Sequence, residues 1–230
     1  MTEWHCGPII GFDTETTDSD SETAHIVTAS IVLADPGRGK EWARNWLINP
    51  AAEISDEAAR THDIKPWIAQ AFGKRPDVAL AEIQESFRRI LSGYGSIPLA
   101  VFNAPFDLTI MNRLCGWVPQ FPVVDPLVID QGMDQRRSGK RQLSTVCEHY
   151  GVVLEQAHAS QADASATIRL SREIARRFPE LQTLSLAELV DREQGWHEAW
   201  ARNYEQFRRQ RGDSSFRVRR AWPYGVRTPL

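Results

Sequence analysis

The sequence predicts an α/β domain on a mixed sheet, with a helical extension at its C-terminal end. Three observations predict it. The chain opens with three strand patterns separated by turns, continues with strand and helix patterns in alternation, and closes with one long helical periodicity.

The first strand begins at Pro8 and is an apolar run ending in Asp13 and Glu15. Asp18 to Thr23 is a polar turn, and Ile26 to Leu33, rich in β-branched residues, is the second strand. The turn Asp35-Pro36-Gly37-Arg38-Gly39-Lys40 leads into a third strand from Trp42 to Ile48, completing an antiparallel meander. Asn49-Pro50 breaks the pattern. Ser55 then caps a short helix through Arg60, with Thr61 to Ile64 as a loop. Val78, Leu80, Ile83, Phe87, Ile90 and Leu91 fall at helical spacing on a core-facing helix. Ile97 to Phe102 is almost wholly apolar, as a buried strand is; Asn103 caps the helix that follows and Pro105 suits its first turn. Phe121 to Asp125 is a brief fifth strand, Pro126 starts another helix, and Arg136 to Arg141 is a basic turn. Two further helices run from Leu143 to Tyr150 and from Ala162 to Phe178.

Residues 1–180 are read as one domain and 181–230 as an extension packed on it. The extension is helical from Leu184 to about Gln210, and its end, from Arg208 to Arg227, is rich in arginine with Phe216, Trp222 and Tyr224 interleaved. Trp196, Trp200, Tyr204 and Phe207 share one stripe, read as packing this helix onto the domain rather than as stacking bases. The arginine-rich end either extends a nucleic-acid path or binds a partner.

At 230 residues and 42% apolar, the chain is long enough for a substantial core. No apolar run approaches the roughly 18 residues of a membrane span, and the first residues carry no basic region ahead of an apolar one. Cys6, Cys115 and Cys147 form no CxxC pair, which fits a reducing cytoplasm, and His5, His25, His149 and His197 stand at no metal-ligand spacing to them. A formal charge of -3 argues against holding nucleic acid by bulk charge, although basic groups can still be placed locally.

The chemistry begins at Asp13 and Glu15. Side chains two apart on a strand share a face, so their charges sum at one point and call for a hard divalent cation with oxygen ligands. The bland alternative is an acidic, solvated strand end. Asp107 lies just past a buried strand, where sites in open α/β sheets gather, and Asp163 lies near a helix start with His158 in the loop before it.

Phe12-Asp13-Thr14-Glu15-Thr16-Thr17, Asn103-Ala104-Pro105-Phe106-Asp107 and His158-Ala159-Ser160-Gln161-Ala162-Asp163 together resemble the three motifs of the DEDD exonuclease superfamily. The spacing His158-x-x-x-x-Asp163 resembles the histidine (DEDDh, DnaQ-like) branch, which includes the proofreading epsilon subunit of DNA polymerase III; the tyrosine branch places its Tyr where Ala159 stands. The resemblance covers residues 8–178. Asp18 and Asp63 stand where glycine is usual and Pro126 where threonine is common, departures that touch loop shape.

The resemblance implies a ribonuclease H-like fold whose five-stranded sheet has three antiparallel and then two parallel strands flanked by helices. It implies two divalent ions, Mg²⁺ or Mn²⁺, held by Asp13, Glu15, Asp107 and Asp163, with Asp13 bridging them, Glu15 and Asp163 on the nucleophile side, Asp107 on the other, and His158 as general base. The implied activity is 3′–5′ exonucleolytic hydrolysis of DNA at a single-stranded or frayed end, beside a polymerase or repair partner and away from membranes. Phe12, Thr14, Thr16 and Asn103 are candidate contacts to the terminal nucleotide, and His62 a supporting residue. Arg136, Arg137, Lys140 and Arg141 either contact the phosphate backbone or form a solvated turn. RNA as the substrate is the nearest alternative. A haloacid-dehalogenase-type phosphotransferase is another, since Asp13-Thr14-Glu15-Thr16-Thr17 is one methylene from DxDxT, but no Gly-Asp-x-x-x-Asp follows. An inactive nucleic-acid-binding relative would have lost an acid or the histidine, and all five are present.

Overall fold

A computed structural model of the chain describes residues 3–155, 157–213, 215–218 and 220–224. The end of the arginine-rich tail, including Arg219 and Arg227, lies outside the described residues. Strands β1 (Ile9–Thr16), β2 (Ile26–Asp35) and β3 (Lys40–Leu47) form the expected antiparallel meander, with Phe12 opposite Ile31 and Asp13 opposite Ser30. Two short strands, β4 (Leu99–Ala100) and β5 (Val123–Val124), extend the sheet in parallel beside β1, in the order β3-β2-β1-β4-β5. Both are shorter than the apolar runs that encode them. Pro98 and Pro122 lack the N–H a ladder needs and offer only their carbonyls, to Ile10 and Leu99.

Helices cover both faces, which is why β2 is buried almost throughout rather than at alternate residues. One face of the sheet, with Ile10, Phe12 and Ile31, packs on α3 (Pro76–Tyr94) and α4 (Ala104–Cys115). The other, with Ile9 and Val32, packs on α7 (Ser160–Arg177) and on the short α5 (Pro126–Met133) and α6 (Leu143–His149). In α3 the buried stripe is Leu80, Ile83, Phe87 and Ile90; Val78 falls off it and is 43% exposed.

Ser55 caps α1 (Asp56–His62) by accepting from the Ala58 N–H, and Asp63 ends it in the left-handed region at φ 56, the conformation for which glycine is usual. His62 is therefore the last residue of a helix and not part of a loop. The sequence gives no sign of α2 (Pro66–Phe72), because its large apolar residues, Trp67 and Phe72, face solvent and only Ala69 is buried.

The extension forms α8 (Leu186–Gln210), started by a Ser185/Glu188 capping box and docked along α5. Trp196 fits over Gly132, where a Cβ would meet the indole at 2.2 Å. Among the described residues no helix is long and apolar enough to cross a membrane.

Gly11 sets the closest approach in the core. A Cβ there would lie 2.4 Å from the Ala164 carbonyl oxygen, so α7 rests on the bare backbone of β1. Gly11→Ala is expected to cost about 1–3 kcal/mol in urea unfolding, because the obstacle is main chain that cannot rotate away.

Candidate active site

Alternation along β1 sends Gly11, Asp13 and Glu15 towards α7, and Phe12 and Thr14 towards the opposite layer. The first turn of α7 supplies Asp163 and the first turn of α4 supplies Asp107, so the acids named by the motifs converge from three elements. An oxygen of Glu15, an oxygen of Asp163 and a ring nitrogen of His158 lie within 4.8 Å of one another. Asp107 is fixed by Thr14, whose N–H and hydroxyl donate to its Oδ1 at 3.0 and 2.5 Å. The His158 N–H donates to Asp163 Oδ2 at 3.1 Å, whereas the buried Asp163 Oδ1 has no hydrogen-bond partner. His158 is exposed and takes φ 68, a left-handed conformation that costs a non-glycine residue about 1–2 kcal/mol.

The electrostatics follow from enclosing like charges. Burial, then the charges of Asp107, Asp163 and Glu15, pushes the Asp13 carboxyl well above its usual range. Burial and the charges of Asp163 and Asp107 raise Glu15 to about 8. Asp107 rises to about 7, burial outweighing the Thr14 hydrogen bonds that favour its ionised form. Burial also raises Asp163. Buried carboxylates that repel one another, one with an orphaned oxygen, fit a divalent cation bound through oxygen ligands.

Two cavities flank this cluster. One, of about 350 Å³, is lined by Thr14, Glu15, Thr16, His62, Asn103 and Phe106 among others. The second, of about 810 Å³, takes in Ser30, His62, His158, Ser160 and Gln161. His62 belongs to both walls. Its Nδ1 accepts from the Ile64 N–H, its Nε2 is buried without a partner, and burial keeps the ring neutral by lowering its pKa.

Several expected substrate contacts fall elsewhere. Phe12 is fully buried, edge-on to Phe87 at 5.4 Å, and cannot meet a nucleotide. Thr14 and Thr16 line the smaller cavity, but their hydroxyls are engaged by Asp107 and by the Asp18 carbonyl. Arg137 and Arg141 both pair with Asp130, which is wholly buried and also accepts from Tyr150, so their guanidiniums are held against the domain rather than forming a solvated turn. Arg136 and Lys140 of the same turn are exposed. Asn103 is exposed at the rim of the smaller cavity, yet it does not cap α4 through its side chain: it stands at φ 60.

The cap is Asp125, a residue the motifs passed over. Its carboxylate accepts from the Asn103, Ala104 and Leu127 N–H groups at 3.0, 2.8 and 3.0 Å, fixing the entry to the helix that carries Asp107. Glu193 of α8 in turn accepts the Asp125 N–H at 2.6 Å, and burial raises its pKa far above normal. An acid before Pro126 was a readable helix start; nothing local marks Glu193, whose role depends on how α8 docks. One further expectation fails at the opposite end of β1. Glu3, His5 and Cys6 do come together, with His5 Nε2 3.4 Å from Cys6 Sγ and 3.6 Å from Glu3 Oε2, while the ring packs edge-on against Trp4.

The sequence model of the exonuclease family RNase_T matches residues 10–171. No curated protein matches the chain by sequence. Among solved structures, the fold is similar to zinc-bound E. coli exonuclease I in complex with single-stranded DNA, at TM-score 0.61 and 16% identity over 76% of this chain and 42% of that one. It is similar to exonuclease I of Methylocaldum szegediense at TM-score 0.58 and 19% identity, with coverage of 76% and 42%. It is also similar to a 3′-exonuclease that recognises a histone mRNA stem-loop, at TM-score 0.57 and 12% identity over 77% and 84%. The chain thus spans less than half the length of the exonuclease I structures it resembles.

Two outcomes follow. Glu15 and Asp107 titrate higher folded, at about 8 and about 7, than the roughly 4 of an unfolded carboxylate, so the folded state binds their protons more tightly. Their contribution to stability is complete below about pH 4 and is lost as pH rises through about 7 to 8. In chelator, the melting temperature should fall between about pH 5 and about pH 8, and Mg²⁺ should raise it more at the upper end. Glu193→Gln should keep the Asp125 contact and near-native urea unfolding, whereas Glu193→Ala should cost about 2–4 kcal/mol by leaving a buried N–H unpaired beside a cavity.

Proposed function

This chain belongs to the RNase_T exonuclease family of the DnaQ-like superfamily, and from that premise we propose that it is a DEDDh 3′–5′ exonuclease releasing nucleoside 5′-monophosphates from single-stranded or frayed DNA ends. The observation that carries the reading is the convergence of Asp13, Glu15, Asp107 and Asp163 from β1, α4 and α7, with His158 beside Asp163. The family is divalent-metal dependent, and the donor set here, all carboxylate oxygens, suits Mg²⁺ or Mn²⁺. Two such ions would be held by Asp13, Glu15, Asp107 and Asp163; when bound, they would supply Lewis acidity towards the phosphate and charge for its transition state.

The chain's own residues do the rest. His158 accepts a proton from the attacking water as the water oxygen bonds to phosphorus and the bond to the departing 3′-oxygen breaks. Its place on an exposed loop, with its N–H donated to Asp163, lets the ring turn towards that water. Thr14 holds Asp107 in one rotamer, so the acid on α4 does not have to be ordered when substrate arrives. The smaller cavity, with His62 and Asn103 in its wall, receives the terminal nucleotide. We further assign residues 1–180 as the exonuclease domain and 181–230 as an extension packed on it. The free cysteines, Cys6, Cys115 and Cys147, suit a reducing, cytoplasmic setting.

Nothing in the acid cluster distinguishes DNA from RNA, since it acts on phosphate rather than on the 2′-hydroxyl. The test is digestion of 5′-labelled single-stranded DNA, duplex DNA with a mismatched 3′ end, and RNA of the same sequence. A ladder shortening from the 3′ end in Mg²⁺ and abolished by chelator is expected, with DNA consumed faster than RNA. His158→Ala and Asp163→Asn should each lower the rate about 10²–10⁴-fold while remaining folded. Near-native turnover in either variant would overturn the assignment, and faster loss of RNA would reverse the substrate preference.

A further inference from the structure

Two features far apart in sequence meet on the side of the molecule where α8 crosses the end of α5. The aromatic stripe of α8 forms one wall of a groove of about 820 Å³, and Arg137 and Arg141 of the basic turn form part of the other. The first ring of the stripe, Trp196, docks the helix over Gly132. Trp200, Tyr204 and Phe207 continue beyond it as a row of near-parallel rings stacked along the helix. Trp200 and Tyr204 lie 5.5 Å apart at 11°, and Tyr204 and Phe207 lie 6.2 Å apart at 17°. Arginines back the array: Arg211 sits 4.6 Å over Phe207, and Arg208 sits 4.2 Å over Phe216, which meets Tyr204 edge-on.

The charges around the groove are unequal. The basic turn carries Arg136, Arg137, Lys140 and Arg141 against Asp130 and Asp134. Asp130 is shared by two guanidiniums, and Asp134 faces His149, so the turn keeps a positive excess after its ion pairs are formed. At the end of α8, Arg208 pairs with Asp213, while Arg209 and Arg220 share Glu205. A row of parallel aromatic rings facing a turn with a positive excess matches a strand of unpaired bases on a phosphate backbone. It matches a protein partner poorly, because the buried centres of protein interfaces are depleted in lysine and in charge generally.

We propose that this groove is a second binding track for single-stranded nucleic acid, holding the substrate upstream of the end being hydrolysed. The inference rests on the exonuclease reading for its purpose, although not for its test. The groove shares no lining residue with either cavity beside the acid cluster. It belongs largely to α8, which follows the stretch matched by the family model. Only substrates long enough to reach from one to the other gain from it. Affinity and degradation rate should therefore depend on strand length.

The experiment uses the full chain. Binding of fluorescent oligothymidylates of about 5 and about 30 nucleotides is measured in chelator, so that hydrolysis plays no part. The variants are Trp200→Leu with Tyr204→Leu, which keeps apolar bulk but removes the rings, and Arg136→Ala with Lys140→Ala, the exposed basic residues of the turn whose Arg137 and Arg141 line the groove. Native melting temperatures establish that both are folded, and Phe207→Ala, at an exposed ring, replaces the first if it is not. The wild type should bind the long oligomer more tightly than the short one. Each variant should lose about tenfold in affinity for the long oligomer, the value of one stacked base or a few phosphate contacts. Affinity for the short one, and its digestion in Mg²⁺, should be unchanged. The charge variant should also show a shallower salt dependence. Equal affinity of the wild type for both lengths, or long-oligomer binding undiminished in folded variants, would overturn the track and leave the face to a protein partner. Length-dependent binding without any digestion would sink the nuclease reading and leave the track standing.

Discussion

Mutual repulsion among enclosed carboxylates governs this structure. Asp13 is raised first by burial and then by three acidic neighbours, and a cluster of that kind is tolerated only where other parts of the fold hold the acids in place. The devices are visible around it. Thr14 grips Asp107 twice, the His158 N–H holds one oxygen of Asp163, and both acids sit in the first turns of helices, where the dipole favours negative charge. None of these neutralises the cluster. They fix its geometry while leaving its charge to be met by cations, as the proposed metal-dependent reaction requires.

The support extends outward in layers. Asp125 gathers the amides at the start of α4, and its own amide is taken by Glu193, so the helix at the end of the chain is hydrogen-bonded to the peptide that orients Asp107. Asp130 is a parallel case without catalytic chemistry: a carboxylate with no exposed surface satisfied by Arg137, Arg141 and Tyr150. Both show buried charge being used to fix relative position, since each polar group would be costly if its neighbour moved away. The extension is consequently coupled to the site it does not touch.

The legible parts of the sequence were those governed by local periodicity. The side-by-side placement of Asp13 and Glu15 follows from strand alternation alone, and the three motifs fixed which distant acids would join them. Length and orientation were harder. The strands around Leu99 and Val123 read long because apolar residues flank them, yet Pro98 and Pro122 end the pairing. Trp67 and Phe72 concealed a helix by facing outward, and Phe12 passed for a substrate contact because adjacent strand residues belong to opposite faces. Arg137 and Arg141 read as solvent-facing because turns usually are; their partner Asp130 reads as helical polarity until α5 is folded against its neighbours. Glu193 had no signature at all, since a glutamate in a helix looks exposed until a second helix closes over it.

The contact between Gly11 and Ala164 gives the centre a mechanical stop. Where side chains separate a helix from a sheet, the gap is a compliant cushion that rotamer changes can thicken or thin; here peptide rests on peptide. The distance from Asp13 to Asp163 is then inherited from covalent geometry on both sides of that contact, and drift in the surrounding core can alter the protein's durability while the spacing of these two carboxylates keeps its calibration.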